Sequence, residues 1–452
     1  MKNLCPPLFL NHKERLAFFL FLLGVLICTL GYKYYQFHTL KSQKFPQIQA
    51  SVILQYQKTK GQKRYFVLKL KSDFGTFYTT SWEDLKNLKN KKVSLKLILE
   101  KVNFWDFIKG FYAPSFQLAL LQEEDFRKPL RDFILQQHQT LLMGEYYLSL
   151  FLSDPLPLPW RELAQSYGIA HIFAISGYHT GILSALGFLI LGWIYTPLHK
   201  RYFPYRNRYF DLGVIVLSLL IGYYFLLTQS PSYLRALAMS CIAFFLLFRG
   251  LDILRLESFF WSIAILLAFF PSLIFSIGFY FSCLGVLYIF LFFKYFKIPH
   301  SFLQKFLYGL SINISTFFLM GIVVYYFFPP FSPLSLSSIL LTPLFSLYYP
   351  FVFIAHFIGF GGLLDSVLLW WVSLKTHTII LQPNFYLFIF CNFLTILAIF
   401  YRYAFFHFFC LILFIIYMAL FCILKYYKIQ FLHIKKFYLV FFLKSVKIPR
   451  LF

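Results

Sequence analysis

The sequence has few charged residues, and acids are the scarcest among them. Of its 452 residues, 13% are charged and 60% are hydrophobic, with a mean hydropathy of +0.68. Beyond residue 200 the acids are Asp211, Asp252, Glu257 and Asp365. A soluble domain cannot bury this much apolar surface, whereas a polytopic membrane protein can. We therefore expect an α-helical polytopic membrane protein.

Several motifs that carry chemistry are also missing. The sequence has no P-loop, no His-x-His-x-Asp-His and no group of acids and histidines at metal-ligand spacing. It has no C-x-x-C, and its cysteines are scattered, so no disulfide framework is expected. These absences predict no built-in ATP motor, no catalytic nuclease centre, no metal site and no cofactor.

The shortage of acids leaves a net charge of +25. One interpretation is lysine-rich amino-acid usage combined with positive loops on the cytoplasmic side of a membrane. The other is an anionic polymer as substrate, because lysine and arginine bind phosphates whatever the base sequence. Composition alone does not separate these interpretations.

Residues 1–40 contain the first long apolar run. Lys13 and Arg15 precede Leu16–Leu30, as in a signal peptide, but no A-x-A cleavage site follows. We therefore expect a tail and an uncleaved first membrane helix, with the N-terminus in the cytoplasm.

Residues 41–110 change character to short alternating runs. In residues 47–57 the apolar positions alternate strictly with polar ones, and similar alternation returns in 66–71 and 93–100. Period-two runs between turns predict antiparallel strands with one wet face. A small barrel is expected because closure removes exposed edges. In the first strand one face should carry Ile48, Ala50, Val52, Leu54 and Tyr56.

The same segment is strongly basic and rich in aromatic residues. It has 14 lysines and one arginine against five acids, a net charge of +10. Cations that follow a phosphate backbone and rings that stack on bases are typical of single-strand binding. The alternative is a barrel whose aromatics fill the core and whose lysines are merely solvated. The candidate DNA-binding residues are Lys58, Lys60, Lys63, Arg64, Tyr65, Lys69 and Lys71.

Residues 111–167 are expected to form an interfacial or re-entrant connection. The apolar run Leu141–Leu152 is shorter than the ~20 residues that span a bilayer. Prolines at 155, 157 and 159 then prevent continuous helix. A short helix can begin near Pro159, where proline fits the first turn.

Residues 168–424 repeat long apolar runs, which predict the polytopic domain with about nine to eleven membrane helices. Pro271, Pro329-Pro330, Pro343 and Pro350 are expected to interrupt them. Residues 425–452 form a basic tail, which favours a cytoplasmic C-terminus.

The stretch His171–Gly181 places polar and small residues at membrane depth. On one continuous helix Ser176 and His179 would share a face, with His171 about 80° away. Small residues including Gly177, Gly181 and Ala185 would allow another helix to approach closely. The stretch could therefore form the wall of an aqueous path or a packing helix. A third interpretation pairs Ser176 with His179 as nucleophile and base, although no acid in the helix would orient the histidine.

Arg235 follows in the segment Gln229–Ala236. An arginine near membrane depth is costly unless it snorkels, pairs or lines an aqueous path. A guanidinium suits a path for a polyphosphate. The candidate residues for a DNA path are therefore His171, Ser176, His179 and Arg235.

At these residues the sequence resembles a known family. His171–Gly181 resembles the signature of ComEC-type competence proteins, roughly His-[Leu/Ile]-x-Ala-Ile-Ser-Gly-Leu-His-Val-Gly. It departs from that signature at Tyr178 and Thr180, and a later family glutamine is Tyr280 here. Other stretches follow in the family's order, and the resemblance covers about Leu141–Leu424. They are Leu141–Glu145, Ser230–Ala236, Pro271-Ser272 with Gly278–Ser282, and Phe331–Ser335.

The resemblance implies an inner-membrane channel, multi-pass, that translocates single-stranded DNA into the cytoplasm during natural transformation. It implies that the β domain is OB-like and extracytoplasmic. It also implies, as partners, a cytoplasmic helicase-like ATPase, a periplasmic or surface DNA receptor and a separate nuclease; a homo-oligomer is left open. The chain is expected to lack the C-terminal metallo-β-lactamase-like domain of many members. Without an ATP motif, partners or a proton gradient would supply the driving force.

Two other classes of function compete with this one. One is a membrane hydrolase or transferase that uses Ser176 and His179. The other is a small-molecule transporter, whose loss would have no consequence for DNA.

Overall fold

The fold is known from a computed structural model of the chain. It describes residues 8–405 except 10, 61–62, 84–86, 122–124, 228–230, 251–254, 375 and 381. The chain divides into two compact units. The first comprises Met1–Ala164, Ile169–Phe290 and Leu340–Lys375; the second comprises Gln165–Gly168, Leu291–Ile339 and Thr376–Phe452. The last part of the expected polytopic domain, residues 406–424, and the basic tail at 425–452 lie outside the described residues.

The first unit opens with a long apolar helix, α1 (His12–Ser42), as expected from residues 1–40. Thr29 donates a hydrogen bond to the carbonyl of Ala268, and Arg15 pairs with Glu257 at 3.0 Å. At its far end Phe37 enters the core of the β domain. The first membrane helix and the β domain are therefore packed together.

The β domain is one sheet of six strands in the order β5-β3-β2-β1-β4-β6. The strands are β1 (Gln47–Lys60), β2 (Lys63–Ser72), β3 (Gly75–Ser81), β4 (Lys92–Leu97), β5 (Phe111–Tyr112) and β6 (Ser115–Leu120). Helix α2 (Phe104–Lys109) precedes β5. The consecutive strands β5 and β6 pair with opposite edges, β5 parallel to β3 and β6 antiparallel to β4. The sheet thus extends ten residues beyond the boundary expected at residue 110.

The expected alternation in β1 holds only in its first half. Ile48, Ala50 and Val52 enter the core, but the register shifts between Val52 and Leu54. Beyond this bulge Leu54 pairs with Lys69, on the face opposite the core. The prediction that Leu54 and Tyr56 share the core face is wrong, because one extra residue moves every later side chain to the other face.

The connection after the β domain contains three short helices, α3 (Lys128–Leu135), α4 (Leu141–Leu152) and α5 (Leu158–Ser166). Helix α4 is apolar and spans 12 residues, too few to cross a bilayer. The proline-rich residues 153–157 are not helical, and α5 begins with Pro159 in its first turn. Both features agree with the expectation for this segment.

Nine α-helices, α6 to α14, follow in the chain, and eight of them lie wholly or mostly in the first unit. They are α6 (Ala170–Phe173), α7 (Gly177–Tyr202), α8 (Arg208–Leu226), α9 (Pro231–Phe248), α10 (Leu256–Phe269), α11 (Ile277–Tyr295), α13 (Ser338–Phe357) and α14 (Asp365–Ser373). Helices α8 and α9 are held by Tyr233, whose hydroxyl donates to the carbonyl of Leu220 at 2.8 Å. Apolar cores between α7, α8 and α9 stabilise this part of the unit.

The second unit contains helix α12 (Phe302–Phe327) and helix α15 (Phe385–Phe400). Tyr326 stacks on Phe388 at 4.3 Å between ring centroids. The short strands β7 (Pro330–Phe331) and β8 (Ile379–Ile380) pair antiparallel.

Seven helical segments among the described residues are long and apolar enough to cross a membrane. Six are α1, α7, α8, α9, α11 and α12, and the seventh is Pro333–Phe357, which includes α13. Four shorter apolar segments are Leu141–Leu152, Leu256–Phe269, Gly361–Ser373 and Phe385–Phe400. The described residues thus give seven full-length candidates against an expected nine to eleven spans.

The prolines act differently from one another. Pro271 follows α10 and Pro329-Pro330 follow α12, as expected of helix breaks. Pro343 and Pro350 lie inside α13, which continues through both. The prediction that Pro343 and Pro350 interrupt the helix is therefore wrong. Membrane helices tolerate such prolines where neighbouring groups satisfy the freed carbonyls.

Candidate site around the α7 N-terminus

The His171–Gly181 stretch is not one helix. His171 lies on the four-residue helix α6, residues 174–176 are non-helical, and α7 begins at Gly177. The angle of about 80° between His171 and His179, which assumed continuous helix, therefore does not apply. Small residues on both sides of Ile175 let the chain turn, and its side chain is fully buried.

Ser176 and His179 form a reciprocal cap at the start of α7. The Ser176 hydroxyl accepts a hydrogen bond from the amide of Tyr178 at 3.3 Å. Nδ1 of His179 accepts one from the amide of Ser176, also at 3.3 Å. This is a capping box in which histidine takes the usual place of glutamate. The ring nitrogen that would serve as a base toward Ser176 is thus occupied by the Ser176 backbone.

The two histidines of the stretch have opposite environments. His179 is fully buried, with its ring edge-on to Phe345 and to Tyr349 at 5.1 and 4.9 Å. His171 is exposed, and its Nε2 lies 3.2 Å from the Thr342 hydroxyl. The exposed Tyr178 donates to the carbonyl of Thr342 at 3.0 Å. Both histidines thus contact the same helix, α13.

The small residues of α7 also differ from one another. A Cβ on Gly177 would lie 3.3 Å from Nη2 of Arg235 and 3.5 Å from Cβ of Ala236, so α7 and α9 approach closely there. A Cβ on Gly181 would have no other atom within 4 Å, and Ala185 is exposed. A close helix contact at those two positions stays a prediction.

Arg235 is buried on α9, with 3% of its surface exposed. Its Nε donates to the Ser282 hydroxyl at 2.7 Å, and Nη1 lies 2.8 Å from the sulfur of Met239. No ion pair among the described residues includes it. A buried charge without a counter-charge costs several kcal/mol. Such a group is typically kept for function.

Arg235 is in the second turn of α9, and its guanidinium bonds to Ser282 in the second turn of α11 and lies against Gly177 at the start of α7. Gly177 is the first residue of α7, and Ser232, in the first turn of α9, donates to the carbonyl of Gly278 in the first turn of α11. Helix N-termini carry partial positive charge, which favours anions, although side chains already cap the first amides of α7 and α11. The charge that makes this region a candidate site for an anion is therefore chiefly that of Arg235. The sequence identified Gly278–Ser282 only as part of the family resemblance, and did not identify Ser282 as the partner of Arg235.

The candidate residues of the β domain are divided between two faces. Cross-strand pairing places Lys58 opposite Tyr65, and Lys69 opposite Tyr78 and Leu54, on the face away from the core. Lys58 lies over the Tyr56 ring and Lys69 over the Tyr78 ring, at 5.6 and 5.8 Å. The exposed Lys71 follows on the same face. We call this surface, with residues Tyr56, Lys58, Tyr65, Lys69, Lys71 and Tyr78, the basic face.

Arg64 is exposed but pairs with Thr59, on the opposite side of the strand pair. Lys60 and Lys63 end and begin their strands, and their side chains lie outside the described residues.

Sequence reasoning missed a buried polar cluster made by His138, His356 and Asp365. Nδ1 of His138 lies 3.0 and 3.1 Å from the two carboxylate oxygens of Asp365, and its Nε2 lies 3.1 Å from Nε2 of His356. His138 and Asp365 are 227 residues apart in the chain. The signal that could have found the cluster is the scarcity of acids beyond residue 200, since a lone acid in apolar sequence needs a partner.

Comparison with known proteins identifies the family. The family model described as "Competence protein" matches residues 153–430, more than half of the chain and including α6, α7 and Arg235. No curated protein and no solved structure matches. A role in DNA uptake and a multi-pass membrane location follow at the level of the family. This chain belongs to the competence protein family.

Proposed function

We propose that this chain is the inner-membrane path by which single-stranded DNA enters the cytoplasm during natural transformation. The observation that carries the proposal is the buried Arg235, which has no carboxylate partner among the described residues and lies against the start of α7. A single strand presents one phosphate per nucleotide, so an electropositive site of this kind can bind each phosphate in turn. Ser176 and Gly177 are half-buried, and Gly177 lies against the guanidinium, so a strand would reach Arg235 past these two residues.

The β domain would capture the strand outside the cytoplasm. Its strand pairing, with residues 111–120 joining both edges of the sheet, supports an OB-like barrel. Its basic face combines lysines with tyrosine rings, the combination that follows a backbone and stacks bases. The family implies a helicase-like ATPase, a DNA receptor and a separate nuclease as partners, and no catalytic step of this chain is part of the proposal.

The first test is labelled-DNA uptake in a strain that lacks the chain. DNA should reach the periplasm but not the cytoplasm. Persistent cytoplasmic uptake would rule out a channel, and an unchanged DNA phenotype with lost uptake of a small molecule would favour the transporter class.

The second test addresses Arg235 itself. Replacing it by glutamine should lower cytoplasmic uptake roughly 10- to 100-fold, from the 1.5–3 kcal/mol of a charged hydrogen bond. Arg235→Lys should recover part of the activity, because it keeps the charge but loses the planar fork. The control is Arg249→Gln, an exposed arginine just beyond the end of the same helix. Equal uptake by both glutamine variants at equal membrane levels would contradict the proposed site.

A further inference from the structure

The cluster of His138, His356 and Asp365 is buried in the first unit, away from any group used above. The side chains of His138 and Asp365 are 0% and 3% exposed, and His356 is 4% exposed. The three residues come from different elements. His138 lies between α3 and α4, His356 lies at the end of α13, and Asp365 begins α14.

Hydrogen-bond counting fixes the number of protons in this cluster. Nδ1 of His356 lies 2.6 Å from the carbonyl of Val352, which can only accept, so His356 donates there. Its Nε2 must then accept from Nε2 of His138 if His356 is neutral. The carboxylate of Asp365 also accepts, so His138 donates from Nδ1 as well.

Three hydrogen bonds therefore hold three protons, whereas two neutral imidazoles and one carboxylate carry two. The additional proton makes the cluster electrically neutral, with His138 as an imidazolium beside the Asp365 carboxylate. Without it the cluster has a net charge of −1 in a buried site, which is strongly unfavourable. The position of Asp365 at the N-terminus of α14 favours the carboxylate form.

Among the residues that the structure describes, His138 is the cation partner of Asp365, and no ion pair joins this carboxylate to a lysine or an arginine. The titratable groups that face the cluster are tyrosines, Tyr147 from α4 and Tyr348 from α13, with Tyr146 hydrogen-bonded to Tyr348 at 3.0 Å. The Tyr147 ring stacks on His138 at 4.6 Å and contacts His356 at 4.4 Å. Among the described residues no group of three or more metal-ligand side chains is suited to a metal ion.

Gln137, next to His138, also binds the turn between α13 and α14. Oε1 of Gln137 accepts from the amide of Gly361 at 2.8 Å, and its Nε2 donates to the carbonyl of His356 at 3.1 Å. A Cβ on Gly361 would lie 2.6 Å from Oε1 of Gln137, and one on Gly362 would lie 2.5 Å from the Gln137 carbonyl oxygen. Residues 137–138 thus pack so tightly against the turn between α13 and α14 that only glycine fits at positions 361 and 362.

We propose that Asp365, His138 and His356 form a buried proton-binding site, which holds one exchangeable proton and fastens residues 137–138 to the α13–α14 turn. Gain of the proton completes the chain of hydrogen bonds from Asp365 to Val352. Its loss leaves an uncompensated carboxylate and one missing donor, so the turn is released.

The test is ¹⁵N magnetic resonance of histidine in the full chain, labelled and reconstituted in lipid bilayers at pH 7. The signal that disappears in His138→Gln belongs to His138, and both of its ring nitrogens should be protonated. Asp365→Asn should convert that signal to a neutral imidazole, and Asp365→Glu should keep the imidazolium. The control is His300→Gln, an exposed histidine between α11 and α12 whose replacement should leave the signal unchanged.

Two results would overturn the proposal. One is a neutral His138 in the wild-type chain at pH 7. The other is an equimolar metal ion in the purified chain that is lost in His138→Gln, since a metal between the two Nε2 atoms would replace the proton.

If His138→Gln does not fold, hydrogen exchange at the Gly361 amide tests the proposal instead. In the wild type, exchange at the Gly361 amide should accelerate with rising pH more than exchange at reference amides far from the cluster, which show only the intrinsic increase. The same exchange rates are expected in His300→Gln. An equal increase at Gly361 and at the reference amides would contradict the proposal.

Discussion

Arg131 is a buried arginine that is fully compensated by acids, unlike Arg235. Its Nη2 lies 2.9 Å from Asp154 and its Nη1 lies 3.1 Å from Asp125. Removing one partner of a buried pair leaves an uncompensated charge and costs about 3–5 kcal/mol. Arg131→Gln should therefore lower the thermal unfolding temperature of the full chain in detergent. Arg161→Gln, at an exposed arginine, is the control, and equal melting of the two variants would contradict the prediction.

Asp125, which pairs with Arg131, makes the stability of the fold depend on pH. Burial alone would raise the pKa of its carboxyl, but hydrogen bonds and charge from Arg127, with the charge of Arg131, hold the pKa below its usual range. The ionised carboxylate therefore stabilises the fold above its unfolded pKa of about 4, and this contribution is lost as the pH falls through the lowered folded pKa. In Arg127→Gln the loss should begin at a higher pH. Identical acid-unfolding curves for wild type and variant would refute this assignment.

The cap of α7 distinguishes a structural serine from a nucleophile. Loss of the hydroxyl in Ser176→Ala should cost about 1 kcal/mol of stability. Ser176→Asn keeps a capping oxygen and adds no charge beside Arg235, so it should melt close to wild type, with labelled-DNA uptake retained. A nucleophilic serine predicts instead that both variants lose activity completely, whatever their stability.

If the basic face binds single-stranded DNA, its lysines should determine how steeply the affinity falls with salt. Replacing Lys58, Lys69 and Lys71 by glutamine should weaken single-strand binding by the full chain and reduce the slope of log affinity against log salt by roughly 2, for three phosphate contacts. The control replaces three exposed lysines elsewhere in the domain, at positions 44, 91 and 101. An equal change in slope for both triple variants would show that net charge, not the basic face, governs binding.

Local pattern predicted most elements of this fold, because an apolar run long enough to cross a membrane determines its own helix. The repeated apolar runs expected in residues 168–424 include those that form α11 and α15. The break at residues 174–176 and the bulge after Val52 were not predictable, since both depend on contacts with distant segments. For the candidate site, the sequence identified Arg235 and the His179 motif, but neither the partners of Arg235 nor the capping role of His179.

Helix α13 connects the two polar centres of the first unit. Thr342, Phe345 and Tyr349 contact the start of α7 and the segment before it, and His356, 14 residues after Thr342, belongs to the proton-binding site. The two ends of this connection are therefore about 21 Å apart along the helix. We therefore expect a proton bound at one end to influence the proposed DNA path at the other.

This connection predicts that DNA uptake depends on the proton-binding site. Asp365→Asn should reduce cytoplasmic uptake of labelled DNA roughly 5- to 150-fold, the usual range for coupling between sites. DNA should still reach the periplasm, and binding to the basic face should be unchanged. Dissipating the proton gradient should lower uptake in the wild type and in His300→Gln, but should cause no further loss in Asp365→Asn. Normal uptake by Asp365→Asn at an equal membrane level would exclude the coupling and leave the channel proposal intact, because that proposal is tested by deletion of the whole chain and by Arg235→Gln.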